Sequence, residues 1–225
     1  RAKRDWGVAF TTVSPFNEPT SRWWHADCKQ EGCHFDRRTQ QAFLPVLRRE
    51  LDRRGMRELD IAASDENTYD EALDTWNGFM PPVRDMVAQI NVHGYQGGEG
   101  RRRELREATD RVGRRLWNSE YGDERADGMA MARNLHLDFE QLRPTAWAYW
   151  QPFDIGGWGL VQTDFRRNEL RRVNPKYHVL AQYTRHIRPG MKLIGSSSPD
   201  VVAAYDGPGR RLVLVVLNDG DDRVL

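Results

Sequence analysis

The chain has 225 residues, with 34 lysines and arginines against 33 aspartates and glutamates, a formal net charge of +1. At 39% hydrophobic and 30% charged it is globular in composition, long enough for a full core, and neither disordered nor collagen-like. So balanced a charge gives no general pull toward nucleic acid or anionic membrane, and the longest aliphatic run, Leu212 to Leu217, is too short to span a bilayer.

Taken in order, the elements repeat a short apolar strand, a polar loop and an amphipathic helix. Gly7 to Val13 is β-rich and stops at Ser14-Pro15. A helix is predicted from about Arg38, with Phe43, Leu47 and Leu51 on one face and Gly55 as its stop. Leu59 to Ala63 is the second predicted strand, and Thr68 to Trp76 the helix after it. Val87 to Val92 is the third strand, followed by a Gly-rich loop and a helix near Glu104 to Val112. Arg115 opens the fourth strand, Gly128 to Leu142 is a helix, Ala146 to Trp150 the fifth strand, and Pro175 to Ile187 the last helix. The strand ends recur about every 33 residues, close to the roughly 31 per unit of an eight-stranded β/α barrel. No phosphate-binding glycine turn follows the first strand, which argues against an open doubly wound sheet.

The fold class expected is therefore α/β. Five units fall short of a closed barrel, so about three more are expected upstream of Arg1. The texture changes at Pro189-Gly190 to an all-β module, whose last strand runs into the turn Asn218-Asp219-Gly220 and the start of another strand. The chain reads as a fragment at both ends, and no leader follows Arg1.

Two glutamates stand at predicted strand ends. Glu18 lies in Asn17-Glu18-Pro19 and Glu120 in Asn118-Ser119-Glu120-Tyr121-Gly122. In a barrel, polar residues at the C-terminal ends of strands line the active site. Three strand intervals apart, the two carboxyls can face each other across the barrel mouth, the arrangement that glycoside hydrolysis needs.

These residues also carry a resemblance. Ser14-Pro15-Phe16-Asn17-Glu18-Pro19, followed by Trp23-Trp24 and Gln30-Glu31-Gly32-Cys33, resembles the fourth-strand region of glycoside hydrolase family 30. Trp117 to Gly122 is similar to that family's seventh-strand nucleophile motif, and Ala148-Tyr149-Trp150-Gln151 to its eighth strand. Tyr177 to Tyr183 through Ile187-Arg188-Pro189-Gly190 resembles its last helix and the crossing into a side β-domain. Ala63 to Tyr69 and Asn91 to Tyr95 are nearest to the endo-β-1,6-galactanase-like branch. The resemblance implies residues 1–188 as strands four to eight of a catalytic (β/α)8 TIM barrel, the C-terminal part of it, with 189–225 as the truncated start of an all-β sandwich. It further implies a retaining reaction, with Glu18 as acid/base and Glu120 as nucleophile, about 5–5.5 Å apart. Asn17 would hydrogen-bond the sugar 2-hydroxyl.

Around this pair, the residues suggest a sugar-binding shell. Trp150 ends a strand and suits the floor under the cleaved sugar, since aromatic rings match the flat C–H faces of sugars. Trp23 and Trp24 follow Glu18 in a loop, and Trp158 sits in Gly156-Gly157-Trp158-Gly159; each suits a neighbouring subsite. Trp6, Trp76 and Trp147 read as core. His93 and Tyr95 end the third strand, where either could hydrogen-bond Glu120, while a structural histidine competes with that role. Asp65, Glu66 and Asn67 suit sugar hydroxyls, one of them serving instead as a helix cap.

Cys28 and Cys33, flanked by His25 and His34, favour a loop disulfide over free thiols or a metal site. No nucleophile elbow, phosphate loop or zinc-protease motif occurs. The expected activity is retaining endo-hydrolysis of β-1,6-galactan, such as arabinogalactan side chains, by a secreted monomer that needs no cofactor or metal. Its partner would be a polysaccharide or oligosaccharide, with no nucleic-acid or membrane partner. The same chemistry on β-1,6-glucan, glucosylceramide or xylan, or a non-catalytic carbohydrate-binding protein on a barrel scaffold, are the competing readings.

Overall fold

The computed structural model describes residues 2–28, 30, 32–218 and 220. The strand expected after Gly220 lies outside the described residues, as do Glu31 and Asp219. The chain divides into two compact units. The first runs to Gln96 and includes Gly100–Ser119; the second comprises Gly97–Glu99 and the residues from Glu120 onward. No helix among the described residues is long and apolar enough to cross a membrane.

The first unit opens with a short helix, α1 (Ala2–Trp6), and a two-residue strand, β1 (Thr12–Val13). The longer strand expected over Gly7–Val13 is cut short. Gly7 takes φ +66°, and Trp6 and Phe10 are both 70% exposed, so the preceding residues lack an apolar surface to pair against. Helix α2 (Arg37–Arg53) starts where Asp36 accepts a hydrogen bond from the Thr39 N–H at 2.7 Å, an N-cap that satisfies one of the free amides of the first turn. It buries Gln40, Leu44 and Leu51 and carries Pro45 in its interior.

Strand β2 (Asp60–Glu66) pairs parallel with β1, Thr12 opposite Asp60, and parallel with β3 (Val87–His93). Ile61, Ala62, Val87, Ile90 and Val92 are essentially fully buried, as parallel strands covered on both faces require. The β2–β3 register shifts between Ser64 and Glu66, leaving Asp65 unmatched with φ +64°. Helix α3 (Tyr69–Gly78) begins at Thr68, whose hydroxyl accepts from the Glu71 N–H. A further helix, α4 (Pro81–Met86), starts on consecutive prolines; it carries no apolar period, and only the proline-first signal marks it. Helix α5 (Arg102–Asp110) and strand β4 (Arg115–Tyr121) follow. The sheet order is β1-β2-β3-β4-β5, with β5 at Ala146–Tyr149.

In the second unit, α6 (Met129–Leu137) passes into a π-helical turn over Asp138–Leu142, so the helix expected over Gly128–Leu142 changes pitch at Asp138. That buried side chain accepts from Asn134 Nδ2 and from the Trp147 indole N–H. Helix α7 (Pro175–Thr184) packs Tyr183 with Tyr121, Met131, Ala132, Leu135 and Val202. Trp147 lies against this core. Two small sheets complete the unit. One holds β6 (Phe153–Asp154), β7 (Val161–Asp164) and β8 (Glu169–Val173); the other holds β9 (Lys192–Ile194), β10 (Val201–Asp206) and β11 (Arg211–Val216), ordered β11-β10-β9 and antiparallel throughout.

Candidate active site

Glu18 follows β1 in a tight loop with φ +47° and is 7% exposed. Its amide donates to the Asp65 carbonyl at 2.8 Å, and its own carbonyl accepts from the Ser21 N–H and from the Trp24 indole at 2.7 Å. The backbone is thus tied to the end of β2. Its carboxyl Oε1 takes two contacts, from Asn67 Nδ2 at 2.6 Å and His93 Nδ1 at 2.9 Å. Oε2 has no protein partner among the described residues. One oxygen is fixed in direction and the other is left for an incoming group, as a proton donor to a substrate requires.

His93 is buried, with Nε2 3.4 Å from Asp65 Oδ1. Asp65 Oδ1 in turn accepts from the Ser119 hydroxyl. Tyr95 packs edge-on against His93 at 5.8 Å. His93, expected to hydrogen-bond Glu120 or to serve structure alone, bonds Glu18, and so does Asn67, expected at sugar hydroxyls or as a helix cap; Thr68 is the cap. Asp65 and Tyr95 are both half-buried.

Glu66 is a correction. Expected to meet sugar hydroxyls, it is fully buried, and its carboxylate accepts four hydrogen bonds from the protein. Oε1 takes Gln40 Nε2 at 3.1 Å and the Thr75 hydroxyl at 2.8 Å; Oε2 takes the Thr20 N–H at 3.2 Å and its hydroxyl at 2.7 Å. The unmatched Asp65 re-aims the strand, so Glu66 points into the interior and joins the Glu18 loop to α2 and α3.

The expected disulfide is also corrected: Cys28 and Cys33 are free thiols. The loop is held in other ways. The Cys28 N–H donates to the His25 carbonyl and the Phe35 N–H to that of Pro19, His34 Nδ1 lies 3.2 Å from the Ser21 carbonyl, and the Trp24 ring packs on Gly32, leaving no space for a Cβ. Asn17 and Trp23 are exposed, while Trp24 is half-buried.

In the second unit, Glu120 is half-buried near the end of β4. Trp150 follows β5, 46% exposed, with its N–H donating to the Tyr121 carbonyl at 2.8 Å. Gly122 allows the close approach, since a Cβ there would lie 2.4 Å from the Trp150 carbonyl oxygen and 3.2 Å from the Trp158 ring. Trp158 is half-buried in its glycine loop.

Sequence reasoning missed the polar groups beneath these rings. Lys176 is fully buried, and its Nζ donates to the Asp123 carbonyl at 2.7 Å, to Asp123 Oδ1 at 3.2 Å and to the Tyr149 hydroxyl at 2.7 Å. Burial pushes the Lys176 ammonium below its ordinary value, against the pull of Asp123, and pushes the Tyr149 hydroxyl up. The available signal was positional: Lys176 follows Pro175 in the first turn of α7, where a cation opposes the helix dipole and needs a partner of its own.

No family model matches the chain. A curated relative, the endo-β-1,6-galactanase of Hypocrea rufa, is 47% identical over 224 residues, covering 100% of this chain and 47% of the relative. The chain thus spans about half the length of the curated relative it matches. Among solved structures, the catalytic domain of the GH30 xylanase C from Talaromyces cellulolyticus matches with TM-score 0.66 and 17% identity, over 90% of this chain and 48% of that one. An endo-β1,6-glucanase, BT3312, matches with TM-score 0.64 and 17% identity, over 92% and 51%. With the ordered motifs around Glu18 and Glu120 and 47% identity over 224 residues to an endo-β-1,6-galactanase, the chain resembles glycoside hydrolase family 30, in its endo-β-1,6-galactanase-like branch.

Proposed function

We propose that the protein is a secreted, retaining endo-glycosidase that hydrolyses β-1,6-linked galactan, with Glu18 as acid/base and Glu120 as nucleophile. The 47% identity across 224 residues with a named endo-β-1,6-galactanase carries this reading. The Glu18 geometry supports it. In the first step Glu120 attacks the anomeric carbon while the Glu18 proton passes to the glycosidic oxygen, and the C–O bond breaks to leave a galactosyl ester on Glu120. In the second step Glu18 takes a proton from water, whose oxygen attacks the anomeric carbon and releases Glu120. Asn67 and His93 orient the acid/base, Asn17 meets the sugar 2-hydroxyl, and Trp150 lies under the sugar with Trp23, Trp24 and Trp158 at neighbouring subsites. In this reading residues 1–188 supply strands four to eight of a (β/α)8 barrel, 189–225 open a β-sandwich, and the enzyme acts as a monomer without cofactor.

The test is to incubate the full-length natural protein with a 2-deoxy-2-fluoro-β-galactosyl reagent and map the label by peptide mass. A label on Glu120 is expected. A label on another carboxylate overturns the nucleophile assignment, and a folded protein that neither labels nor cleaves β-1,6-galactan overturns the galactanase reading.

A further inference from the structure

The loop that carries Trp158 has its carbonyl oxygens tied from beneath. Asn174, fully buried, donates through Nδ2 to the Gly156 carbonyl at 3.0 Å and to the Gly159 carbonyl at 2.8 Å, and its N–H donates to the Leu160 carbonyl. Two residues on, Lys176 Nζ donates to the Tyr149 hydroxyl, which donates to the Trp158 carbonyl at 2.7 Å. The carbonyls on both sides of the indole are therefore held by the side chain of Asn174, the N-cap of α7, and that of Trp158 itself by the Tyr149 hydroxyl, which Lys176 in the first turn of α7 bonds in turn. Lys176 also grips Asp123 at its carbonyl and carboxylate, three residues after Glu120.

Three glycines make the approach possible. A Cβ on Gly157 would lie 1.6 Å from the Glu124 carbonyl oxygen, one on Gly128 2.7 Å from Lys176 Cα, and one on Gly122 2.4 Å from the Trp150 oxygen. A glycine-rich loop left to itself samples many conformations. Here its backbone is bonded at successive points, and a buried lysine with its donors occupied stands under it, at a cost that a purely apolar filling would avoid.

We infer that Asn174 and Lys176 are positioning residues for substrate, which hold Trp158 as a fixed wall for the galactan chain by bonding the carbonyls of its loop and, through Asp123, the segment after Glu120. The inference rests on the proposed sugar-binding role of Trp158. It distinguishes Trp158 from an aromatic on a mobile flap: the ring meets the polymer already oriented, so little ordering is required at binding.

The experiment uses Tyr149→Phe, which removes only the hydroxyl between Lys176 and the Trp158 carbonyl, and Asn174→Ala, each alone and combined with Trp158→Ala, in the full-length natural protein. Each single variant is expected to raise KM for β-1,6-galactan about three- to tenfold, the loss of one or two hydrogen bonds, with kcat changed less than twofold. In the Trp158→Ala background neither is expected to raise KM further, because both act through that ring. KM effects that multiply undiminished in that background overturn the inference, since a merely structural role gives that result. A second arm needs no substrate. With 5-fluorotryptophan incorporated, the ¹⁹F resonance assigned to Trp158 by its loss in Trp158→Phe is expected to be single in the parent and to broaden or split in Tyr149→Phe. An unchanged resonance there overturns the clamp even if the parent hydrolyses nothing, whereas a moved resonance in a protein without galactanase activity retains the clamp and removes the substrate assigned to it.

Discussion

Glu66→Gln separates a buried clamp from a sugar ligand. The substitution preserves volume but replaces one acceptor oxygen with an NH2 group, and the two possible amide orientations have different consequences. If the NH2 replaces Oε2, it faces the Thr20 N–H and hydroxyl; the hydroxyl can rotate to accept, and the backbone N–H cannot. If it replaces Oε1, it faces the Thr75 hydroxyl and the Gln40 amide, which also holds the Phe35 carbonyl at 3.0 Å. Each orientation leaves one N–H donor unsatisfied in a fully buried site, costing about 1–3 kcal/mol, and reduces the remaining bonds from charged to neutral strength for about another 1 kcal/mol. The expected loss is about 2–4 kcal/mol in urea unfolding followed by circular dichroism. Because Thr20 is two residues from Glu18, kcat on β-1,6-galactan is expected to fall as well, with KM little changed. Stability within about 0.5 kcal/mol of the parent, the range of an ordinary surface substitution, together with a KM raised several-fold, would refute the clamp and return Glu66 to the substrate.

Two other predictions concern Glu18 and His136. Glu18→Ala is expected to slow both chemical steps by orders of magnitude, and added azide, an external nucleophile for the galactosyl ester, is expected to restore turnover with an activated aryl galactoside; absence of rescue counts against its role as base. Buried His136 donates from Nδ1 to the Pro199 carbonyl at 3.2 Å, its Nε2 has no partner among the described residues, and burial lowers its pKa from 6.5 against the opposing effect of Asp200. The unfolded chain therefore takes up the proton first: this contribution is present in full above about pH 6.5 and is lost as the pH falls through that value toward the folded one. Urea midpoints between pH 7.5 and 5 should decline less steeply in His136→Gln than in the parent, and identical slopes would exclude the group.

Much of the first unit was legible because its signals are local and strong. The helices expected from about Arg38 and from Thr68 form, one residue earlier and one later, and Ile61–Ala63 is an unbroken apolar run, as a strand buried on both faces should be, while Val87–Val92 carries Gln89 and Asn91 buried among its apolar residues. The sheet β6-β7-β8 was not legible: every residue of β8 is exposed, Leu170 at 66%, so no inward face imposes a period on the sequence. Glu66 was misread for a different reason. Alternation puts Ser64 and Glu66 on one face, but a residue at φ +64° breaks the period, and nothing in the side chains of Ala63 to Glu66 announces a left-handed backbone.

The deeper difficulty lay in ranking carboxylates of one chemical type. Glu18, Asp65 and Glu66 all stand at strand ends or in the loops beyond them, and sequence position treats them alike. Their donors do not. Glu66 has both oxygens occupied twice over by groups it cannot release without opening the core, so it can hold structure and little else. Asp65 is shared between His93 and two serine hydroxyls, Ser14 and Ser119. Glu18 alone of the three has one oxygen doubly bonded and the other open, with its backbone fixed at both the N–H and the carbonyl. A general acid needs that asymmetry: enough partners to fix its direction, and a free oxygen from which the proton can leave.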